Sequence, residues 1–454
     1  MKREALSHPL SIAGIVITTA SAVVFITLLI AGLIGLIENP YAGLVVFIAI
    51  PAIFVMGLLL IPVGVWLRRR ALARHPGTVA DWPVVDFRIL RVRRTALLIT
   101  ALTAVNIVIV LLAGYGSLHW MDSPQFCGQV CHTTMHPQFA AWGGGPHARI
   151  ACASCHIGEG ASGFVHAKLA GTRQLVHVVT DNVPTPVPPG AHLDPGMLTQ
   201  TCSRCHQPTR SSGDRVRVLR EYAEDEGNTE TVTVLQMHVG GSASPRAIHW
   251  HADPNVRVEY VAANADRQTI PYVKVTDAKG QTKEYVAADA KPEEINTGVR
   301  RTMECGDCHS TVGHPIAPTP EKAVDQAIAA AHVSRELPFA RREGVRLMKA
   351  SYANEDAAMT AIDQELRTFY KSHGGNVNPE ALARAVNAFQ ELYRRNVFAP
   401  MKVTFGSYPD NKGHVTSNGC FRCHDDSHKA KDGTSISADC EYCHKQIETP
   451  PPTQ

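Results

Sequence analysis

Twelve cysteines fall into six pairs, and a histidine follows every pair. The pairs are Cys127/Cys131, Cys152/Cys155, Cys202/Cys205, Cys305/Cys308, Cys420/Cys423 and Cys440/Cys443. The histidines are His132, His156, His206, His309, His424 and His444. Five sites are strict C-x-x-C-H; the first, Cys127-Gly-Gln-Val-Cys131-His132, carries one extra residue. Zinc ribbons pair their cysteines but have no reason to add a histidine each time. Disulfides suit an extracytoplasmic chain but make no such demand either. C-x-x-C-H is the attachment pattern of c-type haem. The two thiols form thioethers with the haem vinyl groups, and the adjacent imidazole reaches the iron as proximal ligand. Six motifs with no cysteine left over predict six covalently bound haem c groups.

The first cysteine comes only after three long apolar runs. Pro9 to Ile37 and Asn39 to Leu67 carry no charged residue, and Thr95 to Met121 carries only His119. Each exceeds the roughly 20 residues that cross a bilayer as a helix. The spans are expected near 11–36, 43–67 and 95–117. A cleavable signal peptide is the rival reading of the first run, but that run is too long and two more follow it. Pro51 and Pro62 are positioned to kink the second span. No span has an internal histidine, which argues against a membrane-embedded b-type haem with two axial histidines.

Orientation follows from Lys and Arg in the flanks. Lys2 and Arg3 precede the first span, and the turn Glu38–Tyr41 has no positive charge. Arg68, Arg69, Arg70, Arg74, Arg88, Arg91, Arg93 and Arg94 lie between the second and third spans. The expected location is a bacterial inner membrane, with the N-terminus cytoplasmic and the haem-bearing part periplasmic. The mean hydropathy of −0.07 averages these two unlike parts. The charge balance, 44 basic against 41 acidic residues, gives no nucleic-acid footprint.

Six haems with two axial ligands each need six distal residues. Met135 follows the first motif as C-H-T-T-M, within reach of the same iron. The expected set is Met135, His147, His314, His414 and His428, with one more from His249 or His251. His166 and His177 are the competing candidates.

The motifs also organise the chain. Residues 1–120 read as the membrane anchor and 121–209 as a segment holding haems one to three. Its connectors, Gly143-Gly-Gly-Pro146 and Pro184-Thr-Pro-Val-Pro-Pro-Gly190, favour little regular structure, so the haems should supply its apolar core. Residues 210–300 alternate as strands at Thr231–Val239, Val256–Ala262, Thr269–Val275 and Thr282–Val286, with a turn at Asp277-Ala-Lys-Gly280. They predict a small antiparallel β insert. Residues 301–454 hold haems four to six and a helical stretch that opens at Pro320. Apolar residues recur there at helical spacing over 340–351, 355–372 and 378–396. The tail from Thr449 reads as disordered. The expected fold class is a membrane-anchored multihaem c-type cytochrome. It has three transmembrane helices and a mostly irregular and α-helical, haem-packed periplasmic part with that β insert.

Several motifs carry a family resemblance. They are S-P-x-F-C-x-x-x-C-H-x-x-M at 123–135 and P-H-A-R-I-x-C-x-x-C-H-I-G at 146–158. This pattern resembles the NapC/NirT family of membrane-anchored quinol dehydrogenases. The long first motif, Ile248-His-Trp-His251, Arg301-Thr-Met-Glu-Cys305 and Gly419-Cys-Phe-Arg-Cys-His-Asp425 are similar to the larger ImcH-type inner-membrane cytochromes of metal-reducing bacteria. The resemblance covers about residues 118–446, and three spans depart from the single anchor of the smaller members. It implies electron transfer from the membrane quinone pool, with menaquinol or ubiquinol as substrate, to periplasmic cytochromes or a redox enzyme complex. It also implies that quinol binds beside the first haem, where Met135 competes with His132 as proximal ligand. Lys168 matches the family lysine that helps hold the quinol. The family aspartate that follows is replaced by Gln174 or Leu175, with Asp181 farther on. Two other roles stay open. One is a subunit passing electrons from a periplasmic dehydrogenase or hydrogenase to quinone. The other is a terminal reductase, which would need an iron without a distal ligand.

Overall fold

The computed structural model describes residues 8–33, 45–73, 87–130, 132–157, 160–188, 197–207, 213–240, 247–373 and 377–447. Lys2, Arg3, the turn Glu38–Tyr41, Arg74 and the tail from Thr449 lie outside the described residues. The chain divides into two compact units, Met1–His132 and Thr133–Gln454.

The first unit holds three helices long and apolar enough to cross a membrane. They are α1 (Pro9–Leu33), α2 (Ile50–Ala73) and α3 (Leu90–Met121). The helix α3 begins before its apolar run because Arg91, Arg93 and Arg94 are good helix formers and do not interrupt it. The helices α1 and α2 meet through small residues. A Cβ at Gly57 would lie 2.6 Å from Thr18 Oγ1 and 2.9 Å from Thr18 N, so only glycine lets the two backbones approach this closely. A π-helical turn, Val45–Ala49, precedes α2. Pro51 has no N–H to give the carbonyl of Phe47 one turn back. Ser117 of α3 donates its hydroxyl to that carbonyl instead. Pro62 sits inside α2.

In the second unit the first helices are α4 (His132–Gly143, whose first residue ends unit one) and α5 (Gly160–Val179). Seven strands follow among the described residues: β1 (Arg215–Tyr222), β2 (Glu230–Met237), β3 (Arg257–Ala262), β4 (Tyr272–Thr276), β5 (Thr282–Val286), β6 (Val299–Thr302) and β7 (His444–Ile447). They do not form one insert sheet. They make two antiparallel sheets, ordered β1-β2-β7 and β5-β4-β3-β6. The first recruits residues from the far end of the chain, with Met237 opposite His444. The strand expected over Thr269–Val275 begins at Tyr272, since Pro271 cannot donate to a ladder. The expected turn joins β4 to β5: Gly280 takes φ +77, and Asp277 Oδ1 accepts from the backbone N–H groups of Lys279 and Gln281.

Four amphipathic helices form the main apolar core: α6 (Pro320–Ala329), α7 (Ala340–Lys349), α8 (Glu355–His373) and α9 (Pro379–Asn396). Thr319 caps α6 by accepting from Lys322 N, and Asn378 caps α9 by accepting from Glu380 N. Proline fills the first position of both. Val324, Leu347, Ile362, Leu366 and Phe389 are fully buried between the helices. The β1–β2 hairpin is pinned to them by Asn228. Its amide donates to the carbonyls of Arg335 and Leu337, and its oxygen accepts from Arg341 N. The haem-motif segment is built differently. Among the described residues of 144–207 only Thr201 is buried.

Candidate haem sites

The first motif is continuous with the end of α3. Cys127 N donates to Ser123 O, and Trp120 meets Phe126 edge-on with ring centres 4.7 Å apart. Cys127 is thereby held within two turns of the third apolar helix. Cys131 and the side chain of His132 lie outside the described residues. Met135 follows one turn later along α4, where the i, i+3 spacing faces residues to one side.

The other five motif histidines each have a second histidine ring across from them. An imidazole nitrogen binds a first-row metal at about 2.0–2.1 Å. With the ring centre roughly 1 Å behind that nitrogen, two rings on opposite sides of one metal have centres about 6 Å apart. The observed separations are 5.9 Å for His156–His314, 6.1 Å for His206–His147 and 6.4 Å for His309–His249. They are 5.9 Å for His424–His251 and 6.0 Å for His444–His414.

Hydrogen bonds leave these rings suited to ligation. Nδ1 of His251 bonds the Ile248 carbonyl, Nδ1 of His424 the Ser437 carbonyl, and Nδ1 of His147 the Val312 carbonyl. A ring that donates from Nδ1 keeps its Nε2 lone pair for a metal. Burial pushes His249, His251, His309 and His444 below the usual imidazole value. His314, buried and beside His156, falls to about 4. All are thus held as neutral imidazole, the ligating form.

Two expectations about distal histidines change. His428, expected as a ligand, is almost fully buried with Asp425 Oδ1 at 2.8 Å from Nδ1 and the Ile270 carbonyl at 2.7 Å from Nε2. Both ring nitrogens are occupied, so it buttresses the loop after the fifth motif. In its place, His249 and His251 are both paired, each with a different motif. They share the 3-10 turn Ile248–Ala252, in which residues two apart point in different directions. That spacing was the signal in the sequence. Lys168 lies on α5 with its side chain outside the described residues. His166 and His177 are exposed on the same helix, and Asp181 sits in the turn after it at φ +51.

The motifs also neighbour one another in chain order. Cys155 feels the charge of Cys205, and Cys202 hydrogen-bonds Cys305. Cys308 is perturbed by Cys420 and Cys423 by Cys308, and Cys443 is perturbed by Cys420. Motifs two to six therefore run as a row. Among the described residues no three His, Cys, Asp or Glu side chains converge as a metal-binding cluster, so the motifs do not gather into zinc-like sites. The side chains fit haem instead. Histidine rings face one another in pairs, a cysteine pair precedes one member of each, and Arg301 Nε, on β6 just before the fourth motif, is a buried atom without a hydrogen-bond partner, as an anion-binding group waiting for a carboxylate would be.

Comparison with known proteins agrees with this arrangement. Residues 90–188 match the NapC/NirT cytochrome c family, N-terminal region. The chain is 35% identical over 453 residues to the cytochrome c-type protein ImcH of Geobacter sulfurreducens, covering 97% of this chain and 88% of that one. The chain belongs to the NapC/NirT cytochrome c family. As a member it is a membrane cytochrome of electron transport that binds haem c covalently. The ImcH relative extends the likeness through both sheets and the helical core. No solved structure matches the chain.

Proposed function

We propose that this cytochrome carries six haems and passes electrons from membrane quinol to periplasmic redox partners. The observation that carries the reading is the set of five histidine pairs, one at every motif from the second to the sixth, with those motifs neighbouring one another in chain order. In this reading His156/His314, His206/His147, His309/His249, His424/His251 and His444/His414 would hold the five irons between them. Met135 serves the first site together with or in place of His132. Bound haem c would supply one-electron carriers, so that the two electrons of a quinol leave singly along the row.

The chain's own residues account for the remaining steps. Oxidation of one quinol yields quinone, two electrons and two protons. Lys168, on α5 shortly after the second motif, would hold a quinol oxygen. The protons then leave on the outer face. The reading of that face as outer is supported by Arg68 and Arg70 at the end of α2 and Arg91, Arg93 and Arg94 at the start of α3, since positive flanks favour the cytoplasm and the opposite end of α3, with Cys127, would then face away from it. Histidines paired at five motifs would occupy both sides of an iron held there, which weighs against a terminal reductase.

The test is stopped-flow reduction of the purified cytochrome by a menaquinol analogue. Rapid haem reduction, slowed in Lys168→Ala at unchanged haem content, is the expected outcome. Fast reduction by a soluble donor with none by quinol would assign the chain instead to passing electrons from a periplasmic enzyme toward quinone. A pyridine haemochrome assay should return six haems per chain.

A further inference from the structure

The variable positions of two motifs are joined by a buried polar network. Asp307, between Cys305 and Cys308, is 4% exposed. Its Oδ1 accepts from Tyr260 Oη at 2.6 Å and from Arg267 Nη1 at 2.7 Å, and its Oδ2 accepts from Glu304 N at 2.8 Å. Arg422, between Cys420 and Cys423, is also buried. Its guanidinium donates to the carbonyls of Asp307 at 2.7 Å, Arg267 at 3.1 Å and Gly419 at 2.8 Å. One side chain of the fifth motif therefore grips the backbone of the fourth. On the other side of the same two sites, His249 and His251 present their rings to His309 and His424 from a single turn. The two sites are tied at both ends.

The network also buries opposite charges inside the two motifs. Arg422 lies between the cysteines of the fifth and touches the backbone of the fourth, and the Asp307 carboxylate lies between the cysteines of the fourth with Arg267 paired to it. In a dry interior such charges are poorly screened. Reducing a haem adds one negative charge, so a nearby buried cation favours the reduced form and a nearby anion opposes it.

We propose that Asp307 and Arg422 are positioning residues that lock the fourth and fifth haem sites into one rigid unit and set, with opposite signs, how easily that pair is reduced. The proposal rests on the axial-pair reading above but not on quinol as donor. Arginine is required at 422 because three carbonyls must be met at once by a fixed fork of donors, which a lysine cannot reproduce.

The experiment is a spectroelectrochemical titration of the full-length, haem-loaded cytochrome, with haem content checked on each variant. The waves of the two sites are identified by their loss in His309→Ala and His424→Ala. Asp307→Asn should move these two waves to higher potential, and Arg422→Gln should move them lower, leaving the other sites in place. Tyr260→Phe, which removes one hydrogen bond and no charge, should leave them unmoved. A shift of the same sign in both charge variants, or none in either, overturns the proposal. Should Arg422→Gln fail to accumulate, Arg422→Lys keeps the charge and loses the three-way grip. In that case Asp307→Asn alone decides, and a wave that stays or moves lower overturns the proposal. A wild-type protein lacking low-spin haem at these motifs would instead sink the axial-pair reading.

Discussion

A histidine two residues from another can face a different motif histidine only if the backbone between them turns, and the 3-10 turn at Ile248–Ala252 does this. His428 shows the opposite case, a histidine four residues after a motif whose two nitrogens are already committed. These roles predict different outcomes for similar substitutions. His314→Ala should keep the full haem count and convert one low-spin iron to high spin, read by electron paramagnetic resonance. His428→Gln should keep every iron low spin and lower thermal stability; a new high-spin signal there would restore it as a ligand. Ring orientation adds a second prediction. The planes of His206/His147 and His424/His251 are near perpendicular, at 86° and 76°, whereas those of His156/His314 and His444/His414 are near parallel, at 26° and 27°. Parallel rings split the two iron orbitals that interact with ligand π electrons, and crossed rings leave them nearly equal. The first two sites should therefore give strongly anisotropic low-spin signals and the other two ordinary rhombic ones.

At the scale of elements, much was legible because spacing alone decides it. The three apolar runs, the helices opened by Pro320 and Pro379, and the turn at Asp277–Gly280 follow from composition and local chemistry. The pairing of sheets was not legible. Residues 444–447 read as a short polar stretch, and nothing local in His444-Lys-Gln-Ile447 shows that it completes a hairpin some two hundred residues earlier. Nor did the motifs reveal that Asp307 and Arg422, at positions the attachment chemistry leaves free, would meet. Distal ligands were only partly legible for the same reason, since a loop histidine becomes a ligand through tertiary contact. The close approach of α1 and α2 depends on glycine, and it carries a prediction. Gly57→Leu would drive a side chain into Thr18 and its backbone, so α1 and α2 must separate. Overpacking of this kind costs about 1–3 kcal/mol, to be read as earlier heat-induced aggregation in detergent at unchanged haem content.

For the whole molecule, the decisive property is the order of the motifs. Because motifs two to six neighbour one another in sequence order, an interruption should divide the protein rather than merely weaken it. Replacing Cys305 and Cys308 by Ser removes the fourth site. Quinol should then still reduce the sites before the gap rapidly, while those at Cys420/Cys423 and Cys440/Cys443 fill in a separate, slower phase. Single-phase reduction of every remaining site would show that the row is branched.

The sheet β1-β2-β7 is closed by the residues directly after the last cysteine pair, and the carbonyl of Cys443 itself receives the N–H of His238. Cys440 stays exposed with that sheet formed, and His444 is both the last motif's histidine and the first residue of β7, opposite Met237. A group held at the last motif would therefore be coupled through a single residue to a hairpin formed much earlier in the chain, so that loosening one loosens the other.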